Sequence, residues 1–369
     1  MEAGRAYPEV LQALRTGSVT VGNGPGAIEM KPVPDPVPGH ALDPRVFKVI
    51  GGQRFRPMLP AGAEGRTVDH AALDIAAIRS SMGWPNIDVA AGRIRAEERV
   101  IPGTSAAITV RIYSAGLDRM PAIVYLHGGA FIGGSLRTVE NPCKALAERA
   151  GAVVVSVDYR LAPEHRFEAG LTDCFDAVTW VSVNARELRV DPARIAVAGD
   201  SAGANLGAAC AIMDRDRKTR MIALQALIYP VVDLACTPNR EYTWSLSDYD
   251  AREDRPLIEE MLRTARSDQE RLHAVYLAGG DPADPLVSPL FVADATGLAR
   301  ALILTAEFDA LRPEGEAYAH LLARSSVPTK CIRYQGMDHA FLDKIGLYPQ
   351  AEDCVQEIAA EVGRLHAAE

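Results

Sequence analysis

Residues 194–213 constrain this chain more than any other stretch. Arg194-Ile195-Ala196-Val197-Ala198 is a short apolar run that reads as a buried strand, and Ala204 to Met213 is rich in small helix formers. Between them lies Gly199-Asp200-Ser201-Ala202-Gly203. A strand that turns into a helix through Gly-x-Ser-x-Gly is the context of a nucleophile elbow, where the serine sits on a strained turn with its hydroxyl exposed. The flanking glycines are required because a Cβ at either position would collide with the neighbouring strand or helix. The plainer alternative is a strand-to-helix turn whose small residues only allow close packing. The rest of the chain has to separate the two.

A second motif lies upstream. The apolar strand Met120-Pro121-Ala122-Ile123-Val124-Tyr125-Leu126 runs into His127-Gly128-Gly129-Ala130-Phe131. Acyl transfer to a serine passes through a tetrahedral oxyanion, which fixed backbone N–H groups stabilise well. Glycines let that backbone approach a substrate closely. The expected donors are the amide after the serine, Ala202, and the amides of Gly128 and Gly129. Losing one such donor typically costs about 3 kcal/mol of transition-state stabilisation.

A serine nucleophile needs a base, and the base needs an orienting acid. The chain has eight histidines, and an elbow of this kind expects the order serine, acid, histidine. His320 falls inside a helical pattern, His366 in the tail of the last helix, and His273 in a helical segment far from any strand end. His339 follows the strand Thr329 to Tyr334 and the turn Gln335-Gly336-Met337-Asp338, so it projects from a loop at a strand end. For the acid, the apolar strand Ala301 to Ala306 leads into Glu307-Phe308-Asp309. Catalytic groups of open α/β sheets gather at such carboxyl ends, which favours Asp309 with Glu307 second. Asp338 is a competitor, but an adjacent residue rarely places its carboxylate on the neighbouring imidazole Nδ1. Asp309 could instead cap the helix that starts near Pro313.

Taken together, His127-Gly128-Gly129-Ala130-Phe131, Asp158-Tyr159-Arg160-Leu161-Ala162-Pro163-Glu164-His165, the elbow, and Tyr229-Pro230-Val231-Val232-Asp233 resemble the hormone-sensitive lipase family of α/β-hydrolases. The aspartate at the second elbow position resembles the bacterial carboxylesterase branch. The resemblance runs from about Val100 to the C-terminus. It implies an eight-stranded, mostly parallel sheet with helices on both faces and a helical cap. It also implies a Ser201–His339–Asp309 triad, oxyanion amides at Gly128, Gly129 and Ala202, and hydrolysis of short- to medium-chain carboxylic esters. The Asp158 segment is implied to brace the loops behind the oxyanion turn. Two positions depart from the family: Arg166 stands where a proline is usual, and Ala340 where glycine commonly follows the catalytic histidine. Triad chemistry would serve a lactone, carbamate or amide equally well. Related plant hormone receptors keep the fold as binding proteins but lose the catalytic histidine, which this chain retains.

Composition fits this reading. Hydrophobic residues make up 48% of 369, enough for a large core. A net charge of −9 argues against nucleic acid or an anionic membrane as the main partner. The partner expected is a small-molecule ester. The six cysteines lack zinc-site spacing, and Cys210 and Cys331 read as buried free thiols. No metal or organic cofactor is needed for the expected chemistry. The N-terminus lacks the pattern of a secretory leader and no apolar stretch could span a bilayer, so a cytoplasmic location is expected by default. The family's habit of pairing leaves a homodimer open, although no interface signature stands out.

Alternating strands and helices from Arg93 to Leu234 argue for a parallel sheet covered on both faces. The alternation breaks between Asp233 and Leu302, where Asp250 to Arg266 and Asp268 to Leu277 read as helical. We therefore expect residues 1–92 to form an N-terminal cap segment and residues 93–369 a catalytic domain, with a cap insertion at about 235–290. Within the first segment, helices are expected over Pro8 to Thr16 and Thr67 to Met82. The proline-dense passage Pro32 to Pro38 suits an extended crossover, and the run Gly22 to Gly26 looks able to hinge.

Overall fold

The computed structural model describes residues 7–366 apart from 25, 36, 38–39, 51–73, 91 and 93. Its centre is one mixed sheet of ten strands. In chain order these are β1 (Val19–Val21), β2 (Ile28–Lys31), β3 (Arg95–Pro102), β4 (Ala107–Ser114), β5 (Met120–Leu126), β6 (Val153–Asp158), β7 (Val190–Asp200), β8 (Ile222–Ile228), β9 (Arg300–Phe308) and β10 (Thr329–Asp338). They lie side by side as β1-β2-β10-β9-β8-β7-β5-β6-β4-β3. From β2 to β6 every pairing is parallel. The β1–β2, β3–β4 and β4–β6 pairings are antiparallel.

Eight strands were expected, and the count of ten corrects this. The two extra strands come from the N-terminal segment, which lays β2 alongside β10 and so covers an edge that would otherwise expose unpaired backbone. β3 also escaped the sequence reading: its burial pattern is almost wholly exposed, so it carries no apolar run.

Among the described residues ten α-helices accompany the sheet: α1 (Tyr7–Thr16), α2 (Pro44–Ile50), α3 (Ile75–Ser80), α4 (Glu140–Ala150), α5 (Phe167–Val183), α6 (Ala185–Leu188), α7 (Ala202–Asp216), α8 (Arg255–Leu277), α9 (Arg312–Arg324) and α10 (Pro349–Gly363). Strand alternation sends side chains to both faces. In β5, Ile123 and Tyr125 enter a core shared with α1, α4 and α10, while Ala122, Val124 and Leu126 enter one shared with α5 and α7. The strand is buried end to end, as its unbroken apolar run suggests. All six cysteines are free thiols, and Cys210 and Cys331 are buried.

Two expected helices, 250–266 and 268–277, merge into one continuous helix, α8, which starts only at Arg255. Polar residues at its middle look like a break in sequence, but Asp268, Gln269 and His273 are buried along with Ile258, Met261, Leu262, Leu272, Val275 and Tyr276. The first helix forms as expected. Of the helix expected over Thr67 to Met82, residues 74–82 are described and are helical only over α3, ending at Ser80 short of Met82; residues 67–73 lie outside the described residues. The expected crossover at 32–38 and the run 22–26 each include residues outside the described set. No helix among the described residues is long and apolar enough to cross a membrane.

Lys31 fastens the N-terminal strand to the C-terminal helix. It is 2% exposed, and its ammonium lies 3.3 Å from Asp353 and 2.7 Å from Glu357, both on α10. Asp353 also accepts from Tyr334 Oη at 3.0 Å. Removing one member of a buried charge cluster strands the others. Lys31→Met should therefore lower unfolding free energy by about 3 kcal/mol, read from equilibrium urea denaturation; an unchanged midpoint would show that the cluster carries no stability.

Candidate active site

Four sequence motifs meet at one end of the sheet because they follow four strands that run the same way. His127-Gly128-Gly129 follows β5, Ser201 follows β7, Asp309 follows β9 and His339 follows β10. Neighbouring parallel strands thus deliver their carboxyl ends to one place.

Ser201 adopts φ 54° and ψ −116°, a conformation an L-residue holds only when its surroundings impose it. The surroundings are tight. A Cβ on Gly199 would lie 2.6 Å from the Leu126 carbonyl oxygen, and one on Gly203 would strike the same carbonyl. The Ser201 amide donates to Ile228 O at 2.9 Å, which anchors the turn to β8. This is the steric arrangement expected from the two glycines.

His339 Nε2 lies 3.1 Å from Ser201 Oγ, and His339 Nδ1 lies 2.7 Å from Asp309 Oδ2. Asp309 is 2% exposed, and its other oxygen accepts the Leu311 amide at 2.9 Å. That bond fixes the carboxylate plane toward the imidazole. Asp309 is not the cap of α9, whose N-cap residue is Leu311. The rival acids go elsewhere. Glu307 accepts the Gly336 amide at 2.7 Å, and Asp338 lies 3.9 Å from Lys344 Nζ. Burial alone would lower the His339 pKa, but the charge and hydrogen bond of Asp309, with Asp200 and Asp338 nearby, raise it above the ordinary 6.5. The ring of Tyr229 meets the imidazole edge-on at 4.8 Å.

The glycine turn departs from expectation at one position. The Gly128 amide, expected among the oxyanion donors, instead donates to Asp200 Oδ1 at 3.0 Å. The same oxygen accepts Tyr125 Oη at 2.9 Å. Asp200 therefore ties the elbow to the glycine turn, a role its place beside the serine did not reveal. Burial and the nearby Asp343 raise its pKa. Among the described residues no such bond engages the amides of Gly129 and Ala130. Both residues have positive φ, 130° and 53°, which turns the backbone sharply at this point.

Behind the turn, Tyr159 Oη donates to His127 O at 2.6 Å and its ring stacks on the His127 imidazole at 4.4 Å. His127 is fully buried and burial pushes its pKa down to about 4, so it is neutral; its Nδ1 lies 2.8 Å from Gly128 O. Arg160 is held by both oxygens of Asp173, each at 2.8 Å from a guanidinium nitrogen. Arg79 of α3 donates to Ile132 O at 2.6 Å and to Ala162 O at 3.1 Å, and pairs with Glu164. The Asp158 segment thus clamps the turn from below, as its resemblance implied. Ala340 has φ 60° and ψ 32°, the left-handed region where glycine fits without strain.

A cavity of about 430 Å³ opens over these residues. Ser201, His339, Gly129 and Phe131 form one wall, Met82 and Trp84 from the N-terminal segment another, and Met261, Gln269 and His273 of α8 a third. The sequence reading placed His273 far from any strand end; the fold brings it to the cavity together with Met261 and Gln269 of the same helix. Tyr276 stacks face to face on Phe131 at 3.8 Å and holds α8 there. Only the four-residue recurrence Met261, Ala265, Gln269, His273 hints at a common face, and nothing in it points to the elbow.

The Asp309 contact makes the His339 titration a direct readout of this geometry. In a histidine-resolved NMR titration His339 should titrate above 6.5, and Asp309→Asn should bring it down. An unchanged value in the variant would mean that Asp309 does not govern the imidazole.

Comparison with known proteins accords with this geometry. A family model described as the alpha/beta hydrolase fold matches residues 123–343. The carboxylesterase NlhH of Mycobacterium tuberculosis is 37% identical over 284 residues, covering 74% of this chain and 84% of that protein. An arylesterase of Saccharolobus solfataricus is 37% identical over 238 residues, covering 64% of this chain and 73% of that one. The solved Pyrobaculum calidifontis esterase superposes with a TM-score of 0.69 at 36% identity, over 89% of this chain and all of that one. With the motif order, the strand-end geometry and these relatives in agreement, the chain belongs to the α/β-hydrolase family, in the hormone-sensitive lipase group that its motifs resemble.

Proposed function

We propose that this protein is a serine carboxylesterase that hydrolyses short- to medium-chain carboxylic esters through an acyl-enzyme on Ser201. The observation that carries the proposal is the continuous chain of contacts from Ser201 Oγ through His339 to Asp309, at 3.1 and 2.7 Å. Relatives named carboxylesterase, arylesterase and esterase support the same reaction class.

In this mechanism Ser201 Oγ attacks the ester carbonyl while His339 Nε2 takes its proton. Asp309 holds the proton on Nδ1, fixing the tautomer that leaves Nε2 free to accept, and stabilises the imidazolium. The tetrahedral oxyanion is met by backbone amides. We assign Gly129 and Ala202 to that role, joined by Ala130, and assign Gly128 to bracing because its N–H is already bound to Asp200. His339 returns the proton to the departing alcohol. It then activates the water that releases the acid.

Of the cap expected from residues 1–92 and about 235–290, we assign residues 81–84 and about 235–290 to covering the cavity, since β1 and β2 join the sheet and α1 packs with α4 and α10. Support comes from Met82 and Trp84 on one side and Met261 on the other, which bound the same cavity as Ser201. The apolar character of these side chains suits an aliphatic acyl or alcohol chain.

Hydrolysis of p-nitrophenyl esters from acetyl to palmitoyl tests the reading. Turnover should be fastest for short or medium chains and fall about 10⁶-fold in Ser201→Ala. A variant that keeps a tenth of wild-type turnover would falsify the assignment of Ser201. The raised His339 pKa sets the sign of the pH profile: the base must be neutral, so kcat/KM should fall as pH drops through a value above 6.5.

A further inference from the structure

Gln269 lines the cavity that holds Ser201 and His339, and it is 9% exposed. Neither its Oε1 nor its Nε2 has a hydrogen-bond partner among the described residues. A primary amide brings two donors and an acceptor, and leaving all of them buried and unmet is costly. Its own helix supplies nothing. One turn before it is Ala265 and one turn after is His273, whose Nδ1 faces Cys236 Sγ at 3.5 Å. Phe131, Val231, Leu272 and Leu311 are among the apolar residues of the cavity wall, which Thr264 and Asp268 of α8 also line. For the stability of the chain alone, an apolar side chain would serve better at this position. The amide is closed off in this conformation; rotated toward the cavity about its side-chain torsions, it would meet a substrate group that both donates and accepts hydrogen bonds, which would remove the penalty.

We propose that Gln269 is a specificity-determining residue, and that it selects esters carrying a hydroxyl or carboxamide group in the arm that fills this cavity. The inference rests on the esterase reading of Ser201 and adds to it a preference that an apolar cavity would not have. The selectivity follows from desolvation. An ester with a purely aliphatic arm leaves the amide of Gln269 buried without a partner, whereas a matched polar arm satisfies it. The polar group also loses its own water on entry, so it gains only where its geometry meets Gln269.

The test uses matched pairs. On the acyl side, p-nitrophenyl esters of dicarboxylic monoamides from glutaric to suberic are compared with their isopropyl isosteres. On the alcohol side, the monobutanoate of butanediol is compared with pentyl butanoate. For wild type, at least one polar member should exceed its isostere about tenfold or more in kcat/KM. In Gln269→Met, which keeps the length of the side chain, that ratio should fall below one. A melting temperature at or above the wild-type value would show that the variant folds. Preference for the apolar member in every pair, or a ratio that survives in Gln269→Met, would overturn the proposal. Calorimetric titration of the same pairs into Ser201→Ala separates the two readings. Should wild type turn over no ester, the esterase reading fails, while tighter binding of a polar member to Ser201→Ala, lost when Gln269→Met is added, still upholds the role of Gln269. Equal binding of both members overturns it.

Discussion

The close approach of two backbones at Leu126 sets the rest of this structure. The carbonyl of Leu126, at the end of β5, sits where a side chain at Gly199 or Gly203 would have to go. With glycine at both positions, β7 and α7 can press against β5, and the turn between them is forced into the strained conformation of Ser201. The hydroxyl is presented by compression, so its position does not depend on the side chain's own preferences. Asp200 uses the same proximity. It reaches from the elbow to the Gly128 amide and the Tyr125 hydroxyl, so the two motifs move as one piece.

Electrostatics follows from that geometry. His339 stands within a ring of carboxylates, Asp309 in contact and Asp200 and Asp338 nearby, and their combined field outweighs burial. In the proposed reaction the imidazolium forms where the field already favours it. The cost appears on the carboxylates: burial raises both Asp200 and Asp343, with repulsion from Asp343 added on the first and from Asp338 on the second. The site thus holds a charge arrangement that suits the intermediate better than the resting state, at some expense to its own stability.

The walls of the cavity are held by different means. α8 is fastened through the stacked rings of Tyr276 and Phe131, and Asn205 of α7 ties the same region down by donating to Val231 O at 3.0 Å and Val287 O at 2.8 Å. Arg79 attaches the N-terminal segment to the loop beneath the glycine turn. These walls are therefore anchored to the glycine turn and to α7. A ligand that displaces a wall would be felt at the glycine turn through Phe131 or Ile132.

Much of this was legible in the sequence, and the reason is local. The elbow, the glycine turn, Asp309 and His339 each sit directly after an apolar strand. Parallel strands bring such positions together whatever joins them, so Ser201, His339 and Asp309 could be named from order and context alone. The strands themselves were legible where burial on both faces leaves an unbroken apolar run, as in β5. Other features were decided only when distant segments met. β3 carries no apolar signal, and β2 acquires its place through pairing with β10 and through Lys31 reaching α10. The Gly128 amide looks like its neighbour in sequence, yet the position of Asp200 takes it out of the expected role. His273 and Gln269 read as ordinary residues of a polar helix, and they became part of the cavity where Tyr276 of α8 stacks on Phe131. Motif chemistry is written into short stretches of chain, since it depends on backbone conformation at a strand end. Cavity chemistry depends on which side chains two remote elements turn toward each other, and that is fixed only by the tertiary packing.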